Sequence, residues 1–284
     1  VMDMTRSRGP YRPLSTILYD DDFDHGLEGW TGLIGNYEDS LDSVLPEYRD
    51  LRPPMLSNAT VWDTGTGGSA LGTYSLKLAT RAQATSLAVA IKRVTYAAAC
   101  PILLEALFTF KPEASQLQLS LTDVGAVGVL FDLQDGERRV MPHLRYLNAE
   151  EGRLQGRWQF KHRPPTFHDI GHSGDTVSHF HLGTDGWEDM AGGEQRLCYN
   201  EIATKQNWHY LRVGFDLASM TFTAFQCNDR HFDVSGLQPM TMPAMANLWC
   251  MLNVAFWAEA CVDRRAFLYL DSVVLSADME SAAP

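Results

Sequence analysis

Trp208-His209-Tyr210-Leu211-Arg212-Val213-Gly214-Phe215-Asp216-Leu217, followed by Thr221-Phe222-Thr223-Ala224-Phe225-Gln226-Cys227, is the stretch on which the fold turns. Leu211, Val213 and Phe215 alternate with polar or small neighbours, and Phe222 and Phe225 recur among threonines and alanine. A period of two places successive side chains on opposite faces of an extended chain, whereas a helix would scatter these apolar groups around its axis. The segment therefore predicts two strands, and Asn228-Asp229-Arg230 supplies the turn residues beyond the second.

The same texture runs outward in both directions. Tyr74–Ala79, Ser86–Ile91, Leu103–Phe110, Gln116–Leu121, Gly128–Leu133, Gly156–His162 and Arg196–Tyr199 alternate or are rich in β-formers, as are Asn247–Trp257 and Ala266–Leu275. Glycine, proline or aspartate separates these runs, and almost no segment has a helical period. Residues Ser40–Leu51 form the one short helix candidate, interrupted by Pro46. A dozen or so short strands without intervening helices predict an all-β antiparallel sandwich of two curved sheets.

Length and composition set the limits. A chain of 284 residues with 45% hydrophobic and 11% aromatic residues can bury a sizeable core, and it shows no linker or internal repeat. We expect an N-terminal tail over 1–16 and a single sandwich domain over 17–278. The net charge of -12 argues against nucleic acid and anionic membranes, which call for a basic face. No stretch approaches the roughly 20 apolar residues that cross a bilayer. The charged start, Val1 to Arg8, lacks a following apolar run, so no secretory signal is read there. Five widely spaced cysteines without a CxxC pair read as buried thiols in a reducing compartment, and the cytoplasm is the expected location.

Tyr19-Asp20-Asp21-Asp22-Phe23-Asp24-His25-Gly26-Leu27-Glu28-Gly29-Trp30, Gly72-Thr73-Tyr74-Ser75-Leu76-Lys77-Leu78 and Phe267-Leu268-Tyr269-Leu270-Asp271-Ser272-Val273-Val274-Leu275 resemble the framing elements of concanavalin A-like jelly rolls. The hairpin from Trp208 is similar to that superfamily's penultimate unit. The resemblance implies a jelly roll whose concave face and overhanging loops receive saccharide. It also implies terminal strands lying side by side with a structural calcium, for which Asp22, Asp24 and Asp271 are the candidate ligands. The E-x-D-x-x-E pattern of one jelly-roll hydrolase group is absent, so its catalytic residues are not carried over.

Chemistry is expected around the segment 161–195, which is far longer than the usual connection of about 4 to 6 residues. It holds five of the nine histidines: His162, His168, His172, His179 and His181. Imidazole moves protons near neutral pH and is the commonest metal ligand. His179 and His181 share a face if extended, and with Asp169 they are the candidate transition-metal ligands. His168, His172, His179, His181, Glu188 and Glu201 are the candidate acid/base groups. Gly156–His162 places Arg157, Gln159 and Lys161 on one face and Trp158, Phe160 and His162 on the other. The polar face offers donors to sugar hydroxyls or a uronate carboxylate, joined by Arg49, Arg52, Arg196 and Asn200, with Trp187 as the stacking ring. Trp208, Trp249 and Trp257 are assigned to the core.

Two functions fit. The first is a carbohydrate-active enzyme that cleaves or rearranges a glycoside, by hydrolysis or β-elimination, using groups of residues 161–201. The second is a non-catalytic lectin-like module on the same scaffold. The partner is a saccharide or glycoside in either case, a homo-oligomer is compatible with both, and the only cofactor considered is a divalent metal (calcium, manganese or zinc), with no organic one.

Overall fold

The computed structural model describes residues 9–32, 53–58, 69–95, 98–113, 120–162, 169–172, 175–178, 186–198, 207–246, 248 and 250–279. Its regular elements are strands. In chain order they are β1 (Thr16–Asp21), β2 (Thr31–Gly32), β3 (Met55–Asn58), β4 (Tyr74–Ala79), β5 (Leu87–Thr95), β6 (Pro101–Pro112), β7 (Val124–Gln134), β8 (Arg139–Met141), β9 (His143–Glu150) and β10 (Arg153–Lys161). Then follow β11 (Asp169–His172), β12 (Asp175–Ser178), β13 (Trp187–Glu194), β14 (His209–Asp216), β15 (Thr221–Cys227), β16 (Arg230–Phe232), β17 (Met240–Met242), β18 (Met251–Ala260) and β19 (Ala266–Ala277).

They form two large antiparallel sheets, so the fold is the all-β jelly-roll sandwich that the sequence predicts. The first runs β16-β15-β14-β6-β19-β4-β3, with β1 also on β19; the second runs β13-β10-β9-β7-β18-β5-β2, with β8 joining β7 and β17 joining β8. β11 and β12 make a separate hairpin. The inner faces meet in one core. β6 contributes Leu104, Ala106, Phe108 and Phe110, β14 contributes Leu211, Val213 and Phe215, and β18 contributes Leu252, Val254, Phe256 and Ala258. Those spacings are the period two of the sequence, and removing one such buried leucine side chain costs about 2–5 kcal/mol. Asn228, with φ of 56°, adopts the left-handed turn conformation that asparagine tolerates, and its Oδ1 accepts the backbone N–H of Tyr210 at 3.0 Å.

Polar side chains tie the layers together. Asp21 of β1 in the first sheet accepts from Lys92 Nζ of β5 in the second at 2.6 Å and from Trp30 Nε1 at 2.8 Å. Burial pushes the Asp21 carboxyl up against the pull of Lys92. At one end of the sandwich, Arg230 of β16 donates from its guanidinium to the carbonyls of Glu194 and Gly192, the latter at 2.8 Å, on β13.

The described part of the N-terminal tail packs on the first sheet: Tyr11 is buried edge-on against Tyr210, Arg12 N–H donates to Glu105 Oε1 at 2.7 Å, and Leu14 N–H donates to Ser276 Oγ at 2.9 Å. Two expectations are corrected. Arg196–Cys198 is irregular, because Leu197 N–H donates to the Tyr146 hydroxyl instead of a neighbouring strand. The segment 161–195 is not a single irregular stretch, since it contains the β11–β12 hairpin and the edge strand β13. The Ser40–Leu51 helix and most of Gln116–Leu121 lie outside the described residues.

Candidate functional site

The outer face of the second sheet carries a second buried cluster, separate from the core between the sheets. Val89, Ile91, Ala126, Leu130, Leu147, Ala255 and Trp257 belong to it, with Trp187 packed against it. Strand register places side chains in rows across the face. Val89, Trp257, Gly128, Arg145, Gln159 and Asp189 succeed one another on β5, β18, β7, β9, β10 and β13. In the adjoining positions, Leu130 lies opposite His143 and Lys161 lies opposite Trp187. Directly opposed residues of antiparallel strands point to the same side, so the pairing alone gathers these groups.

Gly128 makes room for the site. A Cβ there would sit 2.4 Å from Cε2 and Cζ2 of Trp257, so the indole lies across the bare glycine. From that position Trp257 Nε1 donates to His143 Nε2 at 2.9 Å, a geometry that needs an unprotonated Nε2. The His143 ring meets Trp187 edge-on, with centroids 4.5 Å apart, and the two indoles are 5.9 Å apart.

A polar chain crosses the face beside these rings. Arg145 Nε donates to Gln159 Oε1 at 2.7 Å, Gln159 Nε2 donates to Asp189 Oδ1 at 2.7 Å, and Arg157 Nη1 donates to Asp189 Oδ2 at 2.6 Å. Arg145 also lies over the Trp187 ring at 4.3 Å, as does the Lys161 ammonium at 4.7 Å. Glu259 Oε2 stands 3.8 Å from Arg145 Nη1. Burial lowers the Arg145 pKa to about 10, which leaves it charged at neutral pH. Burial pushes the Glu259 carboxyl up, opposed by Arg145 and Lys161. Planar donors and acceptors held by one another beside aromatic rings are suited to a ligand that offers both hydroxyls and C–H surface.

The residues singled out from the sequence fall in several places. Arg157, Gln159, Lys161 and Trp187 lie on this face. Glu188, between Trp187 and Asp189 on β13, pairs with Phe160 on the other side of the sheet. Arg196 is exposed and lines a separate cleft of about 970 Å³ at the end of the sandwich, with Tyr146, Cys198, Asn228 and Arg230. Asp169 and His172 are at the ends of β11, opposite Ser178 and Asp175. His168, His179, His181, Arg49, Arg52, Asn200 and Glu201 lie outside the described residues, as does Trp249. Trp257 is a correction: it is buried, but on the outer face, because it follows Phe256 and strand alternation sends it away from the core.

The terminal strands β1 and β19 do lie side by side. The three aspartates proposed for calcium each accept backbone N–H donors. Asp24 Oδ1 accepts from Thr73 and Tyr74 N–H at 2.6 and 3.0 Å, Asp271 Oδ2 from Ala70 and Leu71 N–H at 2.6 and 2.9 Å, and Asp22 from Asp24 N–H at 3.1 Å. Among the described residues no group of three or more His, Cys, Asp or Glu side chains assembles to hold a metal ion.

His143, Arg145 and Glu259 escaped the sequence reading, as did the place of Trp257 on this face. A signal existed for the first two: His143-Leu144-Arg145-Tyr146 alternates polar and apolar residues as a half-buried strand does.

Fold and face together describe a β-sandwich with an organised polar and aromatic surface on one sheet. The chain belongs to the family described as "Domain of unknown function (DUF6772)", which matches residues 2–279. No curated protein sequence matches it. Solved structures similar to it include the cellulose induced protein Cip1, at 11% identity over 91% of this chain and 96% of that one, TM-score 0.43. Lectin I-B4 from Griffonia simplicifolia in its metal-free form is similar at 9% identity over 80% and 99%, TM-score 0.38. A legume lectin-like domain from Entamoeba histolytica is similar at 8% identity over 81% and 90%, TM-score 0.36.

Proposed function

We propose that the chain binds a saccharide on the outer face of its second sheet. The observation that carries this is the connected row Arg145, Gln159, Asp189 and Arg157 alongside Trp187. Each polar group is fixed by its neighbour before any ligand arrives, so binding would order few side chains. The segment that bears His168, His172, His179 and His181 leaves the sheet after Lys161 and returns at Trp187, two residues that face each other. Its stems are therefore part of the site.

Binding is favoured over cleavage by the carboxylates. Glycoside hydrolysis needs an acid and a second carboxylate across the scissile bond. Both oxygens of Asp189 accept hydrogen bonds from Gln159 and Arg157, which among the described residues leaves Glu259 as the carboxyl proton donor of this face. The raised pKa of Glu259 supports a cleaving version, by hydrolysis or β-elimination, as the second reading.

Glycan-array screening followed by calorimetry on the whole chain tests the proposal. Trp187→Ala and Gln159→Ala should each weaken binding at least about ten-fold with little change in melting temperature. Full affinity in both variants, or no bound glycan for the wild type, would overturn it. New reducing ends or unsaturated products from a bound glycan, lost in Glu259→Gln, would establish the cleaving version.

A further inference from the structure

We infer that the saccharide is acidic, and that the Arg145 guanidinium seats the carboxylate of a uronic acid unit. The inference rests on the binding reading above and gives it a substrate class.

Arg145 has five N–H donors, of which Nε is used by Gln159. Nη1 lies 3.8 Å from Glu259, beyond hydrogen-bonding reach, and Nη2 has no partner among the described residues. The residue is nevertheless only 8% exposed. Its two terminal nitrogens are not among the sealed, unpartnered polar atoms of the interior, so solvent reaches them. A buried guanidinium with a free terminal edge is costly unless something charged completes it.

The fork is also held in one orientation. Gln159, itself 8% exposed and anchored to Asp189, fixes Nε, while the Trp187 ring supports the guanidinium at 4.3 Å. A planar cation whose Nη groups hold no hydrogen bond among the described residues matches the two oxygens of a carboxylate side by side. Sugar hydroxyls would use the same donors one at a time and would not answer the charge.

The local charge points the same way. In a chain of net charge -12, this face brings together Arg145, Arg157 and Lys161 against Asp189 and Glu259. Arg157 is bonded to Asp189, and Arg145 lies in the field of Glu259 and Glu150. Burial disfavours the ionised form of Glu259, which weakens its hold on Arg145 and leaves that guanidinium as the group a ligand carboxylate would complete.

The test compares matched ligands on the full chain by calorimetry: tetragalacturonate and tetraglucuronate, each against its methyl ester, together with a neutral glucan and a sulfated glucan. The acids should bind at least about ten-fold more tightly than their esters, the scale of one charge-assisted hydrogen-bonded pair. Arg145→Lys should bring the acid-to-ester ratio close to one, since an ammonium keeps the charge but loses the fork. The wild-type ratio stands whether or not that variant folds. Equal affinity for acids and esters, or tighter binding of the sulfated glucan, overturns the uronate assignment. Binding of the neutral glucan without acid preference, abolished by Trp187→Ala, overturns this inference and keeps the saccharide reading. Binding of none of these ligands removes both.

Discussion

Gly128→Ala isolates the packing on which the site depends. The backbone of β7 is ordinary extended chain, so alanine is conformationally acceptable there and the effect must come from contact. The new Cβ would lie 2.4 Å from two ring atoms of Trp257, where ordinary contact begins near 3.4 Å, so the indole has to move by about 1 Å. Trp257 is 4% exposed, with Ala255, Val89 and Leu130 in the same cluster, which leaves little space for that shift. Overpacking of this kind costs about 1–3 kcal/mol, and pulling Nε1 out of line with His143 adds about 1 kcal/mol. A total of roughly 2–4 kcal/mol is expected in urea denaturation. The decisive form is a double-mutant cycle with Trp257→Ala, which removes the clash: there the same glycine change should cost almost nothing. An equal penalty in both backgrounds would show that Gly128 is required for its backbone, and the packing explanation would fail. The single variant should also weaken saccharide binding, because a displaced Trp257 presses on His143 and Trp187.

Asp271 supplies a pH prediction. Burial pushes its carboxyl up to about 6, so the folded state tolerates it best when protonated. That contribution is fully present below the ordinary aspartate value near 4 and is lost as pH rises through 6, on the order of 2–3 kcal/mol. Asp271→Asn should therefore flatten the stability profile between pH 4 and 6; parallel profiles for the two proteins would refute the assignment. Lys92→Met leaves the Asp21 carboxylate buried without its cation and should cost about 3–5 kcal/mol by chemical denaturation, while adding Asp21→Asn should recover much of the loss. Gln159→Leu should lower affinity for the bound saccharide about ten-fold by releasing the Arg145 fork, with a stability change near 1 kcal/mol.

The strands that were legible are those whose own side chains demand a two-sided environment. β15 matches its expected bounds, and β4 does too, because alternation and flanking turn residues coincide there. β13 was hidden. Its sequence, Trp187-Glu188-Asp189-Met190-Ala191-Gly192-Gly193-Glu194, has weak β-propensity, and pairing with β10 makes it a strand. Missing it left Asp189 in a presumed loop. β7 and β18 were recognised as β-rich but not for what their outer sides carry: both faces are covered, so Trp257 reads as one more apolar residue in a core run. The facing of Arg157, Gln159 and Lys161 could be read from one strand. Their union with Arg145, Trp257 and Glu259 needed the register of four others, which no local pattern contains.

The grip of Arg230 on the Gly192 and Glu194 carbonyls bears on how molecules of this protein meet one another. β13 ends the second sheet, and an edge strand with free carbonyls is a template for another chain to extend. By occupying two of those acceptors from the opposite sheet, the guanidinium closes that end of the ladder to intermolecular strand addition. The protein is thereby guarded against edge-to-edge aggregation at the Gly192–Glu194 end of β13.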